Sequence, residues 1–526
     1  MISRARLQRA VREALAVLRS ARDVREAEVF AASNTHLLTR LHYTSHLPCN
    51  GVEEPKSTFA YGIGIRAVFH TPGGIRVGFG SEPSDLTADG VRRALGKARQ
   101  AAVPDPEFVS LPKPTGEARS LARYHDPALM DLRDTDLVGA GWKAIRGALR
   151  TFRNSRPLAA LAGGRAKIAS LGLILSGDVT IAQERIAIAS TRLPTVQADE
   201  SSLCLAFVTA MVERVQAKGS GWSVGRRVTD LTEDAGVQAA RAAAAAVGGT
   251  RVPSGRYRVI LGPQAVTDLL THLILPGLTA DTFYAGSSPF QGRMHQRVAS
   301  QEVTLYDHGA ARGLAASKGI TCEGLPTGRT DLIREGVLVG LLSNAYETQR
   351  LLRDPHGKEK LGVEPRRARK GLVPRNGFRF GGGDGRHFNL PPGIAATNVV
   401  FEGRGGYSPR DLLRLVGEGL YIGRIWYTYP INGLAAGDFT CTVVGDSHRI
   451  TEGRLAGPLT PNTLRINDNI LKTLNTIVAV GGGRTPTFAW AADEIVYAPE
   501  VVVDGIRITA IAEFADRPEL QHPPSG

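Results

Sequence analysis

Two extended runs constrain the N-terminal part of this chain more than any other feature. Residues 59–69 (FAYGIGIRAVF) and 75–80 (IRVGFG) are separated by His-Thr-Pro-Gly-Gly. Two strand-like runs joined by turn-forming residues predict an antiparallel β-hairpin. The first run contains Gly62-Ile-Gly-Ile-Arg-Ala67, which matches the GxGxxA dinucleotide fingerprint. That fingerprint needs a helix to open at its glycines. Here a strand continues, so nucleotide binding on this motif is rejected.

Helical and strand-like periods alternate around the hairpin. Leu7, Val11, Leu15 and Leu18 share one helical face in residues 5–20. Strands are expected at 26–32 and 37–43, and a helix at 86–102 with Thr87 or Asp89 as its cap. A second helix is expected at 131–150. Residues 166–189 read as alternating segments around a Gly177-Asp178 turn, 201–213 as a strand, and 239–246 as an alanine-rich packing helix. Beyond 250–256, with Pro253 and Gly255, the pattern is mostly β: strands at 301–307, 395–401, 426–429, 439–444 and 499–508, and a hairpin at 329–342 turning at Arg334-Glu335-Gly336. Helices are expected at 408–418, capped by Ser408, and at 467–480. A chain of 526 residues exceeds what one core usually serves. The expected fold class is α/β with two domains: an α/β domain over 1–249 and a β-rich domain over 250–526, antiparallel or barrel-like, with a few helices.

The net charge of +14 raises the question of nucleic acid. The densest basic cluster is Arg366, Arg367, Arg369, Lys370, Arg375 and Arg379, inside a Gly/Pro-rich stretch at 355–393 that reads as a solvated insertion. Phe378, Phe380 and Phe388 lie close enough to make base stacking a second reading. No stretch approaches the roughly 18 apolar residues of a membrane span, and the arginine-rich start lacks the apolar core of a secretory signal. Cys49, Cys204, Cys322 and Cys441 are far apart and form no CxxC pair, which suits a reduced, cytoplasmic setting. No GxSxG elbow or Walker loop is present. His42 with His46, Asp307-His308 and His295 form no recognisable constellation.

Residues 259–281 (VILGPQAVTDLLTHLILPGLTAD) read as a strand, a Gly-Pro turn and an apolar helix through Leu269, Leu270, Leu273 and Ile274. This segment resembles the metal-binding helix of the TldD/PmbA peptidases, whose metal-bearing branch carries His-Glu-x-x-x-His followed by Gly-Leu-x-Ala-Asp. Gly277, Leu278, Ala280 and Asp281 stand in place. Thr271 occupies the first His position, His272 the Glu position and Pro276 the second His position. Other matches are spread along the chain: Glu323-Gly-Leu-Pro-Thr-Gly-Arg-Thr330 with Leu332-Ile and Glu335-Gly-Val-Leu338; Leu420-Tyr421 with Asn432 and Gly437-Asp438-Phe439; Asp178-Val-Thr-Ile-Ala-Gln-Glu-Arg; and Gly221-Trp222. The stretch at 355–393 falls outside the family pattern.

The resemblance implies a heterodimer in which one subunit holds zinc while the second lacks the motif and closes a shared cavity. Such pairs degrade unfolded peptides and trim leader peptides from modified precursors. This chain is similar to the metal-free TldE/PmbA-like subunit, so no cofactor is expected in it; zinc is expected in a TldD-like partner. A catalytic zinc needs about three protein ligands and an open position. Threonine is a poor ligand, proline offers none, and His272 is expected without a partner one turn away, facing solvent or a partner subunit. A cysteine of the β-rich domain helps hold zinc in the metal-bearing branch, and Cys441 falls in about that region. His272 and Cys441 together would still fall short of a catalytic set, and a free cysteine in an alternating strand is commonly a core residue. Two other readings stay open: an independent hydrolase with an unrecognised site, and a peptide- or polyanion-binding module using the basic 363–380 loop.

Overall fold

The computed structural model describes residues 1–47, 51–121, 124–382 and 385–511; Cys49 lies outside them. The expected hairpin is present towards one edge of an eight-stranded antiparallel sheet. Its long strands are β1 (Val24–Thr44), β2 (Lys56–Thr71), β3 (Gly74–Pro83), β4 (Leu173–Ser190), β5 (Gln197–Val212) and β6 (Ala217–Gly225), side by side in the order β3-β2-β1-β4-β5-β6. Val103–Pro104 extends the β3 edge and Gly51–Val52 pairs with β1.

Successive side chains on a strand point to opposite faces, and here both faces are covered. One face takes the helices. α1 (Arg4–Ser20) and α2 (Ala88–Gln100) pack Leu7, Val11, Leu18, Val91 and Leu95 against Ala27, Val29, Ile63 and Ile65. α3 (Asp134–Arg153) and α4 (Asp234–Ala245) pack Leu137, Ile145, Ala235 and Ala239 against Leu175, Val179, Ile181 and Cys204. Ser3 and Thr87 cap α1 and α2 by accepting the amides of Arg6 and Gly90, a contact worth about 1 kcal/mol each. The other face carries Glu28, Phe30, Ala32, Asn34, Glu184, Ile186, Asp199 and Ser201, all buried beneath the C-terminal half.

Two strand expectations need correction. The pieces at 26–32 and 37–43 are one 21-residue strand. The polar Ser33-Asn34 step that reads as a break is satisfied from outside the sheet: Ser33 Oγ accepts the Ile2 amide at 3.0 Å and Asn34 Nδ2 donates to the Arg386 carbonyl at 2.7 Å. β4 also runs straight through Gly177-Asp178, paired with β1 and β5 in unbroken register. The glycine is needed there because a Cβ would meet the Phe207 carbonyl oxygen at 1.9 Å. The rejected GxG glycines have a similar reason, since a Cβ on Gly64 would meet the Phe388 carbonyl oxygen at 2.1 Å.

The C-terminal half is β-rich, as expected. A nine-stranded sheet is built around β7 (Gly255–Leu261), Val501–Ala510 and Gly419–Ile422, and Arg424–Pro430 forms one edge. A six-stranded sheet contains Thr304–His308, Arg329–Arg334 and Asn398–Glu402. Neither is purely antiparallel: β7 pairs parallel with Gly419–Ile422, and Asn398–Glu402 pairs parallel with Ile495–Ala498. The helix expected at 467–480 is instead strand Leu464–Asn469, a short helix Ile470–Asn475 and strand Ile477–Val480. Asn469 stops the first strand by accepting the amides of Leu471 and Lys472 on its side chain.

The basic stretch is only partly the solvated loop expected. Arg366, Arg367, Arg369 and Lys370 are exposed. Arg379 and Arg386 are among the most deeply buried side chains of the described residues. Arg379 pairs with Glu28 at 2.7 Å, and Arg66 holds the other Glu28 oxygen at 2.8 Å. Arg386 reaches Glu184 at 2.6 Å and Asp199 at 3.0 Å, while Lys318 adds a contact to Glu184 at 3.0 Å. Phe378 and Phe388 are buried too, and Phe380 stacks on Phe378 with ring centroids 4.9 Å apart. Sequestered in this way, the rings are withdrawn from base stacking.

Burial alone would raise the Glu184 carboxyl, but Lys318 and Arg386 outweigh it and hold it at about 2 against the usual 4.5. A depressed folded-state value stabilises above the unfolded value and loses that contribution as pH falls. Glu184→Gln is expected to cost about 3–5 kcal/mol in urea unfolding, because it leaves buried cations short of a counter-charge. The variant should also lose less further stability than the parent between pH 4.5 and 2.

Candidate functional site

Where the N-terminal sheet meets the C-terminal half, the packing leaves a cavity of about 420 Å³. The sheet contributes His36 and Leu38 from β1, Asp178 and Thr180 from β4, Leu205 and Phe207 from β5, and Trp222 from β6. The opposite wall is Arg424, Trp426, Tyr427 and Thr428 of the edge strand, and the segment Phe488–Ala492 closes one side. Three of the four tryptophans of the chain (Trp222, Trp426 and Trp490) line this space.

The floor is the helix of residues 263–277. α5 (Pro263–Leu269) continues through a π turn, Leu270–Ile274, into Leu275–Gly277. Proline supplies no amide to the carbonyl four residues earlier, and its ring crowds that carbonyl. With Pro276 in place, the Leu275 amide bonds back five residues to Leu270, the step of a π turn. Gln264, Asp268 and His272 follow one another at four-residue spacing and face the cavity together.

His272 has a partner after all, one turn before it rather than after. Its Nδ1 lies 2.9 Å from Asp268 Oδ1 and 3.0 Å from the Asp268 carbonyl oxygen. The bond to the Asp268 carboxylate raises the His272 value above 6.5, against the opposing effect of burial. Thr428 donates to the second Asp268 oxygen at 3.4 Å. Thr271 turns the other way and donates to Glu494 at 2.8 Å. Burial raises the Glu494 carboxyl, which Thr271 partly offsets. Thr271, Pro276 and Glu494 line an open groove that adjoins the cavity, and His272 and Trp490 stand in the wall of both spaces.

Cys441 lies in the core, paired across the sheet with Ile466. Burial pushes its thiol well above the ordinary range, so it stays protonated. These residues do not fit a catalytic zinc: His272 offers one free ring nitrogen, Nε2, the Thr271 hydroxyl is taken by Glu494, Pro276 has no ligand atom, and Cys441 is enclosed in the core. Among the described residues, no three His, Cys, Asp or Glu side chains converge as a metal-holding group. Of the other histidines singled out in the sequence, His46 pairs with Glu213 at 2.9 Å, and His308 lies beside Asp307, which Asn376 and Thr397 hold. No helix among the described residues is long and apolar enough to cross a membrane.

Sequence reasoning missed Asp268, Arg424 and the aromatic walls. The polar residues at 264, 268 and 272 on an otherwise apolar helix were a readable signal. The tryptophans were not, because strands distant in sequence bring them together.

The comparisons with known proteins follow this geometry. The model of the PmbA/TldA metallopeptidase C-terminal domain matches residues 254–510, and that of the PmbA/TldA metallopeptidase domain 1 matches residues 50–102. A metalloprotease of Synechocystis sp. is 29% identical over 50% of this chain and 52% of its own length. A metalloprotease of Methanothermobacter thermautotrophicus is 25% identical over 44% of this chain and 43% of its own. The chain thus spans about half the length of the curated relatives it matches. The crystal structure of TldE from Thermococcus kodakarensis superposes with a TM-score of 0.74 over 96% of this chain and 100% of that one, at 16% identity, a likeness of fold.

Asp268→Asn is expected to lower the titration midpoint of His272, followed by NMR, toward or below the ordinary histidine value, because burial then becomes its main influence. In the parent, this pair stabilises the fold below pH 6.5 and the contribution is lost as pH rises through the raised midpoint. A midpoint unmoved by the substitution would show that the carboxylate does not hold the ring.

Proposed function

Since the chain belongs to the PmbA/TldD family, we propose that it is the non-catalytic partner subunit of a zinc metalloprotease heterodimer that degrades unfolded peptides or trims leader peptides from modified precursors. One observation carries this reading. The helix that holds the metal in the metal-bearing branch is here occupied by Thr271, His272 and Pro276, and each is committed to structure. His272 stands where the general base would be, but Thr271 and Pro276 beside it supply no ligands to hold a metal-bound water. What the chain retains is a walled cavity next to that helix and strand edges able to hold an extended peptide by main-chain hydrogen bonds. In this reading the zinc and the chemistry belong to a TldD-like partner in the cytoplasm, and this chain shapes the shared chamber.

The test measures the zinc content and peptidase activity of the purified chain, alone and mixed with a metal-bearing relative from the same cell. The expected outcome is no stoichiometric zinc and no cleavage alone, with cleavage appearing in the mixture. Stoichiometric zinc, or cleavage by the chain alone, would overturn the reading in favour of an independent hydrolase.

A further inference from the structure

Arg424 occupies an unusual place in the cavity wall. Its guanidinium carbon lies 5.1 Å from the ring centre of Phe207, 5.9 Å from Trp222 and 5.6 Å from Trp426. Ser220 accepts one of its N–H groups, and Nε is buried with no hydrogen-bond partner. Asp446 and Asp268 act on its charge, yet no carboxylate among the described residues comes within the 4.0 Å of an ion pair. Asp268 is already bonded to His272, and Asp446 accepts the Ser220 amide at 3.3 Å. The buried cations among the described residues, Arg379, Arg386 and Lys318, all have direct carboxylate partners. A cavity that sets aside one cation among aromatic walls selects for an anion attached to an apolar group.

We propose that this cavity binds the C-terminal residue of a peptide, its free α-carboxylate on Arg424 and its apolar or aromatic side chain among Phe207, Trp222 and Trp426. The source of the ligand rests on the peptide-handling reading above; the site itself rests on the geometry of Arg424. A C-terminal residue carries carboxylate and side chain on the same Cα, which suits a guanidinium only 5–6 Å from three ring centres. An internal aspartate or glutamate would have to bring polar backbone on both sides into the aromatic walls, at a desolvation cost. The volume of about 420 Å³ is of the size that takes a small ligand or one terminal residue with its neighbour.

The experiment titrates the purified full chain with three peptides: one ending in Phe as the free acid, the same peptide as the C-terminal amide, and an amidated peptide with Asp next to Phe in its interior. Binding is read as fluorescence anisotropy of an N-terminal label and as the change in tryptophan emission, which reports on the cavity because three of the four tryptophans line it. The free acid is expected to bind about tenfold or more tightly than either amide, as a charge-assisted hydrogen bond in a sheltered site would give. Arg424→Gln should level the three, and Arg424→Lys should retain part of the preference. Equal binding of acid and amide, no binding of the acid, equal binding of the internal-aspartate peptide, or a preference that survives Arg424→Gln would each overturn the proposal. Should Arg424→Gln fail to fold, the tryptophan signal of the unsubstituted chain decides: no change on adding the free acid overturns the proposal. Selective acid binding without activity in the two-subunit mixture would remove the partner reading and leave this site standing. Activity in the mixture without acid preference would do the reverse.

Discussion

The two halves of the chain are held together by buried charge. Glu28, Glu184 and Asp199 project from the N-terminal sheet into a space sealed from water, where an unpaired carboxylate would be very costly. Arg379, Arg386 and Lys318 of the C-terminal half meet them, and Arg119 adds a second contact to Asp199 at 2.5 Å. Charges of this kind are worth little relative to an apolar core of the same shape, but removing one partner strands the other. They act as a register device. With Arg386 on Glu184 and Arg379 on Glu28, Phe378 and Phe388 sit in the apolar patch beside Phe30, Ile186 and Ile188.

That packing leaves the cavity to one end. The charged end of the sheet face is covered by Phe378, Arg379, Arg386 and Phe388, whereas the end carrying Leu38, Thr180, Phe207 and Trp222 is left open between the sheet and the strand Arg424–Pro430. The helix at 263–277 forms the floor, where Thr271 is bonded to Glu494 and His272 to Asp268. Pro276 shapes this helix, because it lacks an amide and the Leu275 amide reaches back to Leu270.

The separation between what local patterns and three-dimensional packing decide is visible in particular residues. Gly62 and Gly64 are correctly read as strand residues from their alternating neighbours, yet the reason they are glycines, the close approach of Phe388, lies more than three hundred residues away in sequence. Ser33-Asn34 and Gly177-Asp178 read as breaks because polar and flexible residues usually end strands. In the folded chain each is accommodated by a neighbour from another element. The helix expected at 467–480 fails for the opposite reason: the run has no strong breaker, and only the pairing of Ile477–Val480 with Val501–Ala510 shows its last part to be strand.

The sequence by itself determined most strand and helix periods, the hairpin and the β-rich C-terminal half. These are properties of neighbouring residues, and side-chain spacing reports them directly. Only the tertiary structure decided that Arg379 is a core residue rather than a surface one, that Asp268 holds His272, and that three tryptophans and Arg424 share one cavity. The Arg379–Glu28 pair joins residues 351 apart in the chain. Nothing local distinguishes an arginine destined for such a partner from its exposed neighbours Arg366 and Arg367, because the partner exists only once the sheet has formed and the C-terminal half has closed over it.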